Sequence, residues 1–121
     1  MMKTRDEHQL TDDELREIVF EKNPRVDYEL KQGIITIIKP QDHWIQRFFR
    51  KLNFKIPENT YLDLDEYGSF IFQQVNGKRS VYEIGQNLGH KFTEANEYLY
   101  SRLWLYLNHL EENEQIIKRI S

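Results

Sequence analysis

The sequence predicts an α+β fold: a three-stranded antiparallel sheet packed on three helices, with an N-terminal helix and an inserted basic amphipathic helix as additions. Three observations predict it. Val26–Leu30 and Tyr61–Leu64 alternate in polarity, and Ile34–Ile38 is β-branched throughout, which suits strands of a half-buried sheet. From Asp65 the period changes, and Phe70, Ile71, Gln74 and Val75 recur at helical spacing as far as Asn76-Gly77. Two further helical patterns follow, Ser80–Leu88 and a long one beginning at Thr93.

Taken in order, residues 1–10 are polar and expected to fray. Thr11 and Glu14 form a capping box, in which each side chain satisfies a backbone N–H at the start of a helix. Leu15, Ile18 and Val19 make a narrow apolar stripe behind it, and Pro24 ends that helix at Asn23 or earlier. The acids of the first turn, Asp12, Asp13 and Glu14, complement the helix dipole. Val26–Leu30 and Ile34–Lys39 read as a hairpin turned at Lys31-Gln32-Gly33, and Pro40, which lacks an amide donor, ends its second strand.

Asp42–Ile56 reads as a helix with Trp44, Ile45, Phe48, Phe49 and Leu52 on one face and Arg47, Arg50 and Lys51 on the other. No acid occurs from His43 to Pro57. Such a face suits a membrane surface or an acidic partner. The simpler reading is that the aromatic face covers the chain's own sheet and the basic face is solvated.

Thr60–Leu64 is the third strand, with Tyr61 and Asp63 on one side and Leu62 and Leu64 on the other. Asp65 is a good N-cap, Glu66 suits the positive start of a helix, and Gly77 supplies the left-handed residue of a C-terminal cap. Ser80 and Glu83 form a second capping box for a short helix carrying Val81, Ile84 and Leu88 and ended by Gly89. Thr93 caps the longest helix, from Glu94 to Glu112 or beyond, with Leu99, Leu103, Tyr106, Leu107 and Leu110 along an apolar face turned toward a core. Tyr100 and Trp104 widen that face beyond what one small core needs, which leaves part of it to line a groove.

With 121 residues the chain is expected to form a single domain, 1–121, in which 1–25 are an N-terminal extension and 41–57 an insertion. Charged residues are 31% and hydrophobic residues 39%, the balance of a soluble globular protein. No run of apolar residues is long enough to span a bilayer, and the start, Met-Met-Lys-Thr-Arg-Asp-Glu-His, lacks the apolar core of a secretory signal. The absence of cysteine excludes disulfides, a thiol nucleophile and thiolate metal sites, and it fits a cytoplasmic protein. A net charge of −3 argues against general nucleic-acid binding.

The usual signs of catalysis do not converge. His8, His43, His90 and His109 form no i, i+3 or i, i+4 pair. Asp63 and Asp65 make an Asp-x-Asp, but Asp65 is already explained as a helix cap. Ser69, Ser80 and Ser101 lack a nucleophile motif, and the five glycines form no phosphate-binding loop. The expectation is a non-enzyme without cofactor or metal. The helices at Ser80–Leu88 and from Thr93 are spaced like a helix-turn-helix, which makes a winged-helix DNA-binding regulator the main alternative. Its recognition helix would offer phosphates Glu94, Asn96 and Glu97, with Arg102 the only basic residue before its end, and acids repel phosphate. A membrane-surface or protein adaptor using the basic insertion is the other alternative.

The order Leu64-Asp65-Glu66-x-Gly68, two apolar residues, Asn76-Gly77, Ser80-Val81-x-Glu83-Ile84, Leu88, Phe92 resembles the PqqD-like proteins, or RiPP recognition elements. The resemblance covers Val26 to Ile117, with its specific part at Leu64–Phe92. It implies a winged-helix-like domain that holds the leader of a ribosomally made precursor peptide and presents it to a modifying enzyme, often of the radical-SAM type. In such domains the leader adds as a strand along the third strand and packs on the third helix. By position, the resemblance assigns backbone pairing to Thr60, Tyr61, Leu62, Asp63 and Leu64, and groove contacts to Leu99, Arg102, Leu103 and Tyr106. It implies no cofactor.

Overall fold

A computed structural model describes residues 10–40, 51–52 and 59–121. The predicted insertion helix, with Trp44, Phe48, Phe49, Arg47 and Arg50, lies outside the described residues. The elements are α1 (Asp12–Glu17), β1 (Phe20–Lys22), β2 (Asp27–Lys31), β3 (Ile34–Pro40), β4 (Asn59–Asp63), α2 (Glu66–Gln74), α3 (Val81–Lys91), a 3₁₀ turn (Thr93–Ala95), α4 (Leu99–Glu112) and β5 (Ile117–Arg119). The architecture is mixed α+β, as predicted. Two compact units divide the chain, Pro24–Ser69 and the segments Met1–Asn23 with Phe70–Ser121.

In the sheet unit, β2, β3 and β4 lie in that order and pair antiparallel. The hairpin turns as predicted: Gln32 and Gly33 both take positive φ, 51° and 82°, the two-residue mirror-image turn whose twist matches that of the flanking strands. Opposed residues share a face, so Ile37 lies between Tyr28 and Leu62, and Thr36 between Glu29 and Asp63. Ile35, Ile37 and Leu64 are buried and Leu62 half-buried, while Tyr61 and Asp63 are exposed on the other face. Where β4 ends, the buried Ser69 takes over its bonding. Ser69 Oγ accepts from the Ile35 N–H at 2.7 Å and donates to the Leu64 carbonyl at 3.3 Å.

The helical unit starts with the predicted capping box, Thr11 with Glu14. α1 stops at Glu17, within the predicted limit of Asn23 or earlier, but Ile18 and Val19, expected on its apolar stripe, lie beyond it. Ile18 turns extended, and β1 pairs antiparallel with β5, Phe20 opposite Arg119 and Lys22 opposite Ile117. The β-branched pair Ile18-Val19 and the buried Phe20 gain more from this pairing than from another helical turn. Asp65 caps α2 as predicted, accepting the Gly68 N–H at 2.6 Å, and Gly77 follows α2 with φ +77°. No basic residue stands in the last turn of α2, and cations from elsewhere bind its terminal carbonyls. Lys22 Nζ donates to Val75, and an Arg79 guanidinium nitrogen donates to Gln74.

The second capping box, Ser80 with Glu83, opens α3 as predicted. Two boundaries differ from expectation. α3 continues through Gly89 to Lys91, because Gly89 serves a close approach: a Cβ there would lie 2.8 Å from Asn96 Oδ1. The long helix begins at Leu99 and not under a Thr93 cap. Thr93–Ala95 is a 3₁₀ turn, Asn96 donates its side-chain amide to the Thr93 carbonyl at 2.8 Å, and Tyr98 takes the left-handed conformation with φ 54°. The core of this unit is built on Phe20, Phe72, Ile84, Leu103, Leu107 and Ile116, each at most 1% exposed.

Candidate functional site

The strand residues singled out by sequence all lie on or next to β4. Among the described residues β4 pairs with β3 and with nothing on its other side. Which of its peptide groups face that open side follows from the register. Leu64 donates to the Ile35 carbonyl at 2.9 Å, so this opposed pair is a bonded one. Bonded and non-bonded pairs alternate along an antiparallel ladder. Leu62 opposite Ile37, and Thr60 opposite Lys39, therefore also turn their N–H and C=O groups toward β3. Tyr61 opposite Ile38, and Asp63 opposite Thr36, turn theirs outward. A strand laid along this edge meets backbone donors and acceptors that the sheet leaves unused.

The side chains beside those outward groups differ in their engagement. Tyr61 is 65% exposed. Asp63 is exposed and accepts the Thr36 hydroxyl at 2.6 Å, which holds one of its carboxylate oxygens.

The helix residues belong to the other compact unit. On α4, Leu99 and Leu103 are buried in that unit's core, Tyr106 is half-buried and Arg102 is exposed. The two aromatics that widen this face have partners in their own unit. Trp104 packs at 6.3 Å on Phe20, and Tyr100 stacks at 5.5 Å, nearly parallel, on Tyr82, whose ring also lies 4.1 Å from the Arg16 guanidinium. Burial chiefly, then Tyr82 and Asp12, pushes the Tyr100 phenol above its usual value, against an opposite pull from Arg16. Burial and Arg79 lower the Lys22 ammonium. Sequence reasoning passed over Leu105, 54% exposed on α4. Its offset from the Leu103–Leu107–Leu110 face was the signal available.

An open cleft of about 500 Å³ lies where Gly85 and Gly89 bring α3 against Tyr100 and Asn96; no carboxylate lines it. Among the described residues no group of three His, Asp or Glu is placed to hold a metal, and no helix is long and apolar enough to cross a membrane.

The family model for coenzyme PQQ synthesis protein D (PqqD) matches residues 54–116, just over half of the 121-residue chain. The chain belongs to the PqqD family. No curated protein and no solved structure matches it. The match takes in β4 and runs to the residue before β5, and it leaves the β2–β3 hairpin outside. It is thus narrower at its start than the resemblance, which began at Val26. PqqD proteins are accessory chains of cofactor and peptide natural-product synthesis that bind a precursor peptide and a partner enzyme and do no chemistry themselves.

Proposed function

We propose that this PqqD-family chain binds the leader of a ribosomally made precursor peptide as an added strand on the open edge of β4, and presents it to a modifying enzyme of the radical-SAM type. The observation that carries this reading is the outward orientation of the Tyr61 and Asp63 peptide groups on an edge within the family match. Strand addition draws affinity from main-chain hydrogen bonds and specificity from alternate side chains, so it requires no catalytic residue. The proposal rests on the strand set. Leu103 is buried in its own core, Leu99 borders the cleft beside α3, and Arg102→Glu tests the exposed residue of the helix set in the same titration.

A short peptide ordering along one edge reaches about micromolar affinity, near −8 kcal/mol, because ordering offsets much of the gain. The test is calorimetric titration of the full chain with the leader of the short peptide encoded beside its gene. Binding is expected for the parent and is expected to be lost in Tyr61→Pro, which removes an outward amide donor and is tolerated at an edge. Absence of heat from the parent overturns the reading. Equal binding by a folded Tyr61→Pro moves the peptide elsewhere.

A further inference from the structure

The edge also carries information about the charge of what it accepts, an inference that rests on the peptide reading above. Side chains that stand opposite each other across an added antiparallel strand share a face. A strand bonded to Tyr61 and Asp63 therefore places one residue beside the Asp63 carboxylate and, two positions further along, one beside the exposed Tyr61 ring. The residue between them falls on the opposite face, beside the half-buried Leu62. The described stretch that carries this edge and the start of α2 is acidic. From Asn59 to Tyr67 the chain holds Asp63, Asp65 and Glu66, all exposed, and neither lysine nor arginine.

The three acids are not equivalent. Asp65 is engaged in capping α2, through its bond to the Gly68 N–H. Glu66 sits in the first turn of that helix, where the dipole already favours a negative charge. Asp63 stands on the strand itself. The Thr36 hydroxyl fixes one of its oxygens at 2.6 Å, so the carboxylate is oriented before any partner arrives. A carboxylate opposite Asp63 would meet like charge with no cation in β4 to relieve it, and like charges directly opposed across strands destabilise the pair.

We propose that β4 selects a basic strand: lysine or arginine opposite Asp63, an apolar residue opposite Leu62, and a flat or aliphatic residue opposite Tyr61. Read from the N-terminus of an antiparallel partner, the accepted pattern is basic–apolar–apolar. Asp63 is the specificity-determining residue, and its partner on the peptide is a cation.

The probe is a pair of fluorescein-labelled synthetic strands with the alternating pattern, identical except for Lys or Glu at the position opposite Asp63. Anisotropy titrations use the parent, Asp63→Lys, Asp63→Asn and Tyr61→Pro, each checked for folding by circular dichroism. The parent is expected to prefer the Lys strand by about three- to fivefold, the range of an exposed cross-strand ion pair. Asp63→Asn should erase the preference and Asp63→Lys should invert it. The preference should shrink between about 0.01 M and about 1 M salt, as the screening length falls from about 30 Å to about 3 Å. Equal binding of both strands by the parent, with Tyr61→Pro blind to both, overturns the charge selection and leaves edge binding standing. Failure of either strand to bind the parent, or undiminished binding by Tyr61→Pro, removes the edge reading and the inference with it.

Discussion

Two glycines of the helical unit are required for different physical reasons, and the difference can be measured. Gly77 has φ +77°, where L residues are strained, yet a Cβ there would meet only ordinary contacts, 3.6 Å to Glu21 Cβ and 3.8 Å to Ile120 Cδ1. Gly85 has ordinary helical backbone, but a Cβ would lie 2.2 Å from Tyr100 Cε1 and so displace the ring stacked on Tyr82. Gly77→Val should therefore cost more than about 1 kcal/mol through backbone strain alone. Gly85→Ala should cost about 1–3 kcal/mol through overpacking, and Gly85→Ala combined with Tyr100→Ala should recover part of that loss. Thermal melts check both. Recovery of Gly77→Val by any trimming of Glu21 or Ile120 would contradict this division.

At the scale of elements, β4 is asymmetric along its length in a way that proline substitution exposes. Proline at Leu62 deletes an amide that bonds to β3, whereas proline at Tyr61 deletes one that faces the open side. Leu62→Pro should lower the melting temperature by several degrees, as expected for about 1–3 kcal/mol lost with a ladder bond in a domain of this size, and Tyr61→Pro should change it little. If melts of the two variants coincide, the register is displaced by one residue.

The elements most legible in the sequence are those decided by neighbours along the chain. Thr11 with Glu14, Ser80 with Glu83, Asp65 with Gly68 and the Gln32-Gly33 turn are all closed by bonds within four residues, so local chemistry suffices to read them. The β1–β5 pair joins Phe20 to Arg119 across nearly the whole chain with three residues on each side, too short for periodicity to register. The break at Tyr98 and the continuation of α3 through Gly89 depend on the Gly89–Asn96 approach, a tertiary contact that no helical period records. Of the candidate site, alternation on β4 was legible, because Tyr61 and Asp63 differ in character from Leu62 and Leu64. The burial of Leu99 and Leu103 was legible from their spacing on the core face of the helix; the use of Trp104 and Tyr100 within their own unit was not, because partners such as Phe20 and Tyr82 are set by packing.

At the scale of the whole molecule, a PqqD-family chain of two compact units has, among its described residues, one edge of β4 with no strand paired on it and no group of three His, Asp or Glu placed to hold a metal. On the reading proposed above, its contribution to a biosynthetic reaction is positional: it would order a leader so that a partner enzyme receives the remainder of the peptide. The claim at the centre of this account is that the leader occupies the outward peptide groups of β4. Amide hydrogen exchange of the isotope-labelled full chain, with and without saturating leader peptide, reads those groups one by one. The account predicts that the Tyr61 and Asp63 amides exchange fast in the free chain and become protected on binding, while Leu62 and Leu64, already bonded to β3, are protected in both states. Bound peptide with unchanged exchange at Tyr61 and Asp63 would contradict it.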